Sequence, residues 1–157
     1  MKTLLIVRHA KADHFGKTDF ERKLSERGKA DAADTAKAIK KAGIKIDAVL
    51  SSPAKRARKT ASIIAKKLEF PAEKIAEYME FYSDGSERIA EIIRSDGAAH
   101  NTIMITGHNP DLLYLVNEFA PGTFYKLSTS DAVMLTFNTD KWANIATDNC
   151  AAVRLLT

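Results

Sequence analysis

Two histidines and two arginines follow short apolar runs at three widely separated places in this 157-residue chain. Arg8-His9 closes Leu4-Leu5-Ile6-Val7. Ser51-Ser52-Pro53 closes Ala48-Val49-Leu50 and opens a stretch carrying Arg56. Gly107-His108-Asn109-Pro110 closes Ile103-Met104-Ile105. Open α/β sheets bind ligands just beyond the carboxyl ends of their strands, so these residues are candidates for one site. A guanidinium offers paired, planar donors and keeps its charge, which suits two oxygens of a tetrahedral dianion. A neutral imidazole carries a lone pair that can attack phosphorus. Together these residue types suit holding a phosphoryl group and accepting it on a histidine.

Such a site needs elements that bring the three places together. Residues 3–7 form a nearly unbroken apolar run with a β-branched end, the pattern of a central strand buried on both faces. A polar loop runs from Ala10 to about Leu24. Ser25 is placed to cap a helix reaching Ala42, with Gly43 as its C′ residue. A second strand is expected over Ile46–Leu50. The helix after it, Ala54 to Leu68, puts Ala57, Ala61, Ile64, Ala65 and Leu68 on one face, and Pro71 ends that unit. Residues 75–82 read as a short strand plus loop, and Ser86 as the cap of a helix with Ile89, Ile92 and Ile93 inward. The third strand, Thr102–Thr106, leads to a helix with Asn109 as N-cap, Pro110 at its first position and Asp111 in its first turn. The tail reads as three short strands: Ala132–Phe137, Trp142–Ala146 and Ala151–Leu156. Strands alternating with helices, then strands alone, predict an α/β sandwich finished by antiparallel strands at an edge.

Composition narrows the classes. Hydrophobic content of 45% and charged content of 28% are those of an ordinary globular protein, and the length suits one domain over residues 1–157. No apolar run approaches the roughly 20 residues of a membrane span, and the start lacks a signal-peptide pattern. The lone Cys150 cannot form an internal disulfide. A cytoplasmic location is the expectation. The net charge of +4 raises nucleic-acid binding, but no motif supports it, and the positive balance equally suits an anionic substrate.

Leu5-Ile6-Val7-Arg8-His9-Ala10-Lys11-Ala12 resembles the signature of the histidine phosphatase superfamily. The segment Asp19-Phe20-Glu21-Arg22-Lys23-Leu24-Ser25 with Gly28 is similar to the one that follows in its SixA-like phosphohistidine phosphatases. Ser51-Ser52-Pro53 through Arg56-Ala57 and Thr60 resembles the second motif, and Thr106-Gly107-His108-Asn109-Pro110 the third. These stand in the family's order and spacing from residue 3 to about residue 120. Ala10 stands where many members have Gly, and Lys23 where Pro is usual.

The resemblance implies a phosphoglycerate mutase-like fold. This is a three-layer α/β/α sandwich with a mostly parallel central sheet and antiparallel strands at the C-terminal edge, the Arg-His strand being central. It implies His9 as nucleophile, Arg8 and Arg56 as phosphate clamp, His108 on the phosphoryl oxygens, and Arg22 as a further substrate-binding residue on its loop. Arg27 and Arg58 lack motif positions and read as salt-bridge residues.

Members acting on phosphomonoesters protonate the leaving alcohol with a carboxylate after the second-motif helix. Glu80 lies in about the right place, with Asp84 nearby, though neither stands in a motif. Imidazole, with a pKa near 6.5, leaves with less help than an alcohol, so a weak acid site favours phosphohistidine.

No cofactor or metal is required. His14 with His9 and His108 offers a set of metal-ligand types, but the arginines beside them argue against a cation, and the chain has no P-loop. The expected enzyme is a hydrolase acting on phosphohistidine of a protein, such as a phosphorelay histidine domain, through a phosphohistidine on His9. The alternatives are a phosphatase for small phosphate esters and a non-catalytic phosphate-binding module. Nucleic acid and membrane are not expected partners.

Overall fold

The computed structural model describes residues 1–16 and 18–157. Its centre is β1 (Lys2–Arg8), whose Leu4, Leu5, Ile6 and Val7 are fully buried. A strand covered on both faces has no reason to alternate polar and apolar residues, which explains the unbroken run. β1 pairs in parallel with β4 (Thr102–Gly107) and antiparallel with β5 (Ala132–Phe137). The six strands run in the order β3-β2-β4-β1-β5-β6. β2 (Ala48–Ser51) and β3 (Ala76–Glu77) extend the parallel part, and β6 (Cys150–Leu155) closes the edge antiparallel to β5.

Helices cover both faces. On one, Leu5, Val7, Val49 and Met104 pack with Ala36, Ile39, Ala61 and Ile64 of α1 (Glu26–Lys41) and α2 (Lys55–Lys67). On the other, Leu4, Ile6, Leu50, Ile103 and Ile105 pack with Phe81 of α3 (Glu80–Ser83), Ile89 and Ile93 of α4 (Ser86–Asp96) and Leu112 and Leu115 of α5 (Asp111–Phe119). Each fully buried aliphatic side chain contributes about 1.5–3 kcal/mol, so this double-faced sheet is the stable platform of the molecule. The architecture is the expected three-layer α/β/α sandwich. The Ser25 hydroxyl caps α1 by accepting from Gly28 N–H at 3.0 Å, and Gly43 adopts a left-handed φ of 73° just past the helix end.

Four local expectations are corrected. Ile46 and Asp47 lie outside β2, and the Asp47 carboxylate instead accepts from the N–H groups of Asn101 and Thr102 where β4 begins. Gly85, at φ 86°, rather than Ser86, precedes α4. Asn109 does not cap α5; Pro110 stands at that position, and the Asn109 amide donates to the Leu127 carbonyl. Trp142–Ala146 is not a strand. Trp142–Asn144 is a single 3-10 turn whose buried indole donates to the His100 carbonyl and lies where a side chain at Gly97 would be.

Candidate active site

The carboxyl ends of β1, β4 and β2 lie side by side, because these strands are parallel and in register from Arg8↔Gly107 to Ser51↔Thr106. Beyond the ladder, His9 N–H donates to the Gly107 carbonyl and Ser52 N–H to the Thr106 carbonyl, each at 3.0 Å. Three sequence-distant loops are thereby fixed edge to edge, and His9, Ser52 and His108 share one spot.

His9 is buried at the end of β1. Its Nδ1 lies 2.7 Å from the Ala10 carbonyl, an acceptor, so Nδ1 carries the proton. That leaves Nε2 with the lone pair. Burial lowers the pKa of the ring to about 4, and the nearby Arg56, Arg8 and Arg22 charges push in the same direction, outweighing the opposing bond to Ala10. At neutral pH the ring is therefore an unprotonated imidazole, the form that can attack phosphorus. The loop is tied to α2, because Ala10 N–H donates to the Thr60 hydroxyl at 3.0 Å and that hydroxyl donates to the Arg56 carbonyl at 2.7 Å.

Arg8 donates from Nη1 to the Leu127 carbonyl at 3.0 Å, the same carbonyl that Asn109 reaches at 2.8 Å. Burial lowers its pKa, opposed in part by Asp131, yet guanidinium remains charged throughout the working range. Arg56, in the first turn of α2, is 6% exposed, so its charge faces inward. Among the described residues the Nε groups of both Arg8 and Arg56 are buried without an acceptor. Buried donors are normally paired, so the two guanidinium groups keep capacity for an anion.

His108 follows β4. Its Nε2 lies 2.8 Å from the Ser52 hydroxyl, which also accepts from Ala54 N–H at the start of α2. The His9 and His108 rings are 5.3 Å apart between centroids. Burial, then the Arg56 charge and His9, lower the His108 pKa to about 3, and its buried Nδ1 has no partner among the described residues. An arriving dianion reverses that field, so His108 gains affinity for a proton as charge builds on phosphoryl oxygens.

The loop between β1 and α1 adds a carboxylate. Asp19 accepts from Arg56 Nη2 at 3.0 Å, Arg22 Nη1 at 3.2 Å and the Tyr82 hydroxyl at 2.8 Å. The Tyr82 bond, with those of the two arginines, lowers its pKa to about 2. Arg22 also donates from Nε to the Asp13 carbonyl at 3.0 Å, so it reaches the cluster through Asp19 and bears on His9 by charge. Tyr82 stands edge-on to His108 at 5.4 Å.

The structure thus gathers Arg8, His9, Arg56 and His108 and brings Arg22 to their rim through Asp19. Residues two apart on a helix project about 200° from each other. Tyr82 turns to Asp19 and His108, whereas the groups that Glu80 influences by charge include Tyr78 and Arg88. No hydrogen bond joins its carboxylate to the cluster among the described residues. Arg58 and Arg27 do form salt bridges, to Glu77 at 2.7 Å and Asp31 at 3.0 Å. Exposed His14 lies outside the cluster, and among the described residues no group of three or more His, Cys, Asp or Glu is arranged to hold a metal ion.

Sequence reasoning missed Asp19 as a member of the site and Tyr82 altogether. The spacing of Asp19 to Arg22 carried a signal, which reads as a local pair. Nothing adjacent to Tyr82 points to the site.

The family described as the histidine phosphatase superfamily (branch 1) matches residues 4–110. A mitochondrial serine/threonine-protein phosphatase Pgam5 from Drosophila ananassae is 26% identical over 160 residues, 82% of this chain and 55% of that protein. The chain thus spans about half the length of that curated relative. Among solved structures, the protein histidine phosphatase SixA complexed with tungstate superposes with a TM-score of 0.79 at 23% identity, covering 86% of this chain and 88% of that one. A protein from Agrobacterium tumefaciens assigned as the phosphohistidine phosphatase SixA gives 0.80 at 24% identity, over 99% and 96%.

Proposed function

This chain belongs to the histidine phosphatase superfamily, and we propose that it is a phosphatase that removes the phosphoryl group from phosphohistidine on a protein. The observation that carries the phosphoryl-transfer chemistry is the tautomer of His9. Its Nδ1–H is committed to the Ala10 carbonyl at 2.7 Å, so the free lone pair is on Nε2.

In the first step Nε2 of His9 attacks phosphorus and the bond from phosphorus to the substrate nitrogen breaks. The leaving ring departs as neutral imidazole when its other nitrogen has taken a proton from solvent. In the second step water attacks the phosphoryl group on His9, the bond to Nε2 breaks, and phosphate leaves with one proton released to solvent. Arg8, Arg56 and His108 hold the equatorial oxygens through both steps. Removing one such preorganised donor typically costs about 2.7–4 kcal/mol of transition-state stabilisation.

The leaving group supports phosphohistidine over an ester. Asp19, with a pKa of about 2, is ionised and has no proton to give, and among the described residues Glu80 forms no hydrogen bond to the cluster. An alkoxide needs a proton as it departs; an imidazole needs far less help. A second reading, a phosphatase for phosphoserine or phosphothreonine, draws support from the name of the Drosophila relative. Phosphohistidine and phosphoserine peptides of matched sequence should be offered side by side. Faster release of phosphate from phosphohistidine, with an acid-labile phosphoryl group trapped on His9, supports the proposal. Faster turnover of phosphoserine moves the assignment to the ester. Binding without turnover of either marks a phosphate-binding module.

A further inference from the structure

On the outer side of α2 lies a groove of about 420 Å³ lined by Lys23, Lys29, Lys55, Arg58 and Lys59, with Leu24, Pro53 and Ser62. Among the described residues no acidic one lines it. Lys29 pairs with Glu26 and Arg58 with Glu77. Lys23, Lys55 and Lys59 are exposed and form no ion pair among the described residues.

The placement of these charges is regular. Lys55, Arg58, Lys59 and Ser62 fall on one outer face of α2, at spacings of three and four, whereas Arg56, Ala57, Thr60 and Ala61 face inward. From Lys55 to Ser62 the helix rises about 10 Å, the span of three extended residues. Three residues that line the groove adjoin site residues along the chain. Lys23 follows Arg22, Pro53 follows Ser52, which holds His108, and Lys55 precedes Arg56.

We propose that this groove docks an acidic segment of the phosphorylated substrate protein, so that the phosphoryl group and a neighbouring run of Asp or Glu are held together. The inference rests on the phosphatase reading and adds the chemistry of the partner. Uncompensated lysines on one helical face repel each other at rest, and an acidic strand relieves that repulsion. Its extent matches a short peptide segment better than a single small anion. Charge matching of this kind acts chiefly on encounter and specificity, so it acts on KM and leaves the chemical step alone.

The test compares wild type with Lys55→Glu/Lys59→Glu and with the neutral Lys55→Gln/Lys59→Gln, a thermal melt showing that both fold. Substrates are an aryl phosphate and two phosphohistidine peptides, one flanked by Asp and Glu and one by Ser and Gly. The acidic peptide should have the lower KM in wild type, rising about tenfold in the Glu variant and less in the Gln variant, with aryl phosphate turnover unchanged. That preference should fade when ionic strength rises from about 0.05 M to about 0.5 M. Equal KM values for the two peptides, or variants that leave the preference intact, overturn the groove. If no substrate turns over, the phosphatase reading fails on its own. Fluorescence anisotropy of the unphosphorylated acidic peptide then decides the groove. Binding lost in the Glu variant supports it, and no binding, or tighter binding of single-stranded RNA, overturns it.

Discussion

Holding two imidazoles neutral inside a cationic pocket carries a stability cost in mild acid that can be measured. The pKa of His9 is lowered to about 4 and that of His108 to about 3, each from 6.5. Below pH 6.5 the unfolded chain therefore binds protons that the folded chain refuses. Stability is unaffected above this range, falls as pH drops through it, and stops falling only below the folded pKa values. Near pH 5.5 neither folded ring is protonated, so their mutual repulsion does not enter. Each ring then costs about 1 kcal/mol relative to neutral pH, and the pair about 2 kcal/mol. For a domain of this size that is a fall in Tm of about 4–8 °C.

Urea unfolding at about pH 7 and about pH 5.5 reads this directly, in buffer free of phosphate, since a bound dianion would raise both pKa values. His108→Asn should remove about half of the effect, and the carboxylates common to both proteins cancel in the comparison. Imidazole ¹⁵N shifts should show His9 as the Nδ1–H tautomer across that range. Identical pH dependence in wild type and His108→Asn, together with a His9 midpoint at its ordinary value, would refute the buried-neutral picture.

Four further outcomes are expected. His9→Ala should abolish phosphate release while retaining a wild-type circular dichroism spectrum and measurable vanadate binding; turnover above a trace would show another nucleophile. Asp19→Asn should tighten vanadate binding about fivefold, from about 1 kcal/mol of internal competition after solvent screening of this half-exposed carboxylate; unchanged or weaker binding would show that Asp19 does not compete with the anion. Glu80→Gln should leave kcat/KM for a phosphohistidine peptide within about twofold of wild type, and a tenfold loss would restore Glu80 as the acid. Thr60→Val strands the buried Ala10 N–H and should cost about 1–3 kcal/mol by urea unfolding, with a neutral result showing that the loop finds another acceptor.

The parts legible in the sequence were those decided over short distances. The apolar run of residues 4–7 can only be buried, and Ser25 ahead of an alanine-rich helix reads as a cap. Arg8, His9, Arg56 and His108 were legible because each sits within two residues of an element end, so placing the strands places the side chains. Trp142–Ala146 failed for the opposite reason. Its apolar spacing resembles a strand, but the indole finds its place on Gly97 and donates to His100, a choice made by packing. Tyr82 was illegible for a similar reason. The short helix α3 turns it to Asp19 and His108, and no local pattern marks it over its neighbours.

Asp19 shows how the missed residues alter the chemistry. A carboxylate beside a phosphate clamp suggests a proton donor when read as a residue type. Bonds from Tyr82, Arg56 and Arg22 make it the reverse, a strongly held anion with a pKa of about 2. It opposes a second anion at Arg56 and withholds a proton from the leaving group. Both effects bear hardest on small alkyl phosphates, which need the proton and have no other contact to offset the competition. A phosphohistidine needs less of the first, and a protein that carries it can supply the second through contacts outside the clamp. Selectivity on this reading comes as much from what Asp19 denies to poor substrates as from what the arginines offer to good ones. Asp19→Asn should accordingly relieve the competition for small aryl and alkyl phosphates alike, while leaving the alkyl esters slow for want of an acid.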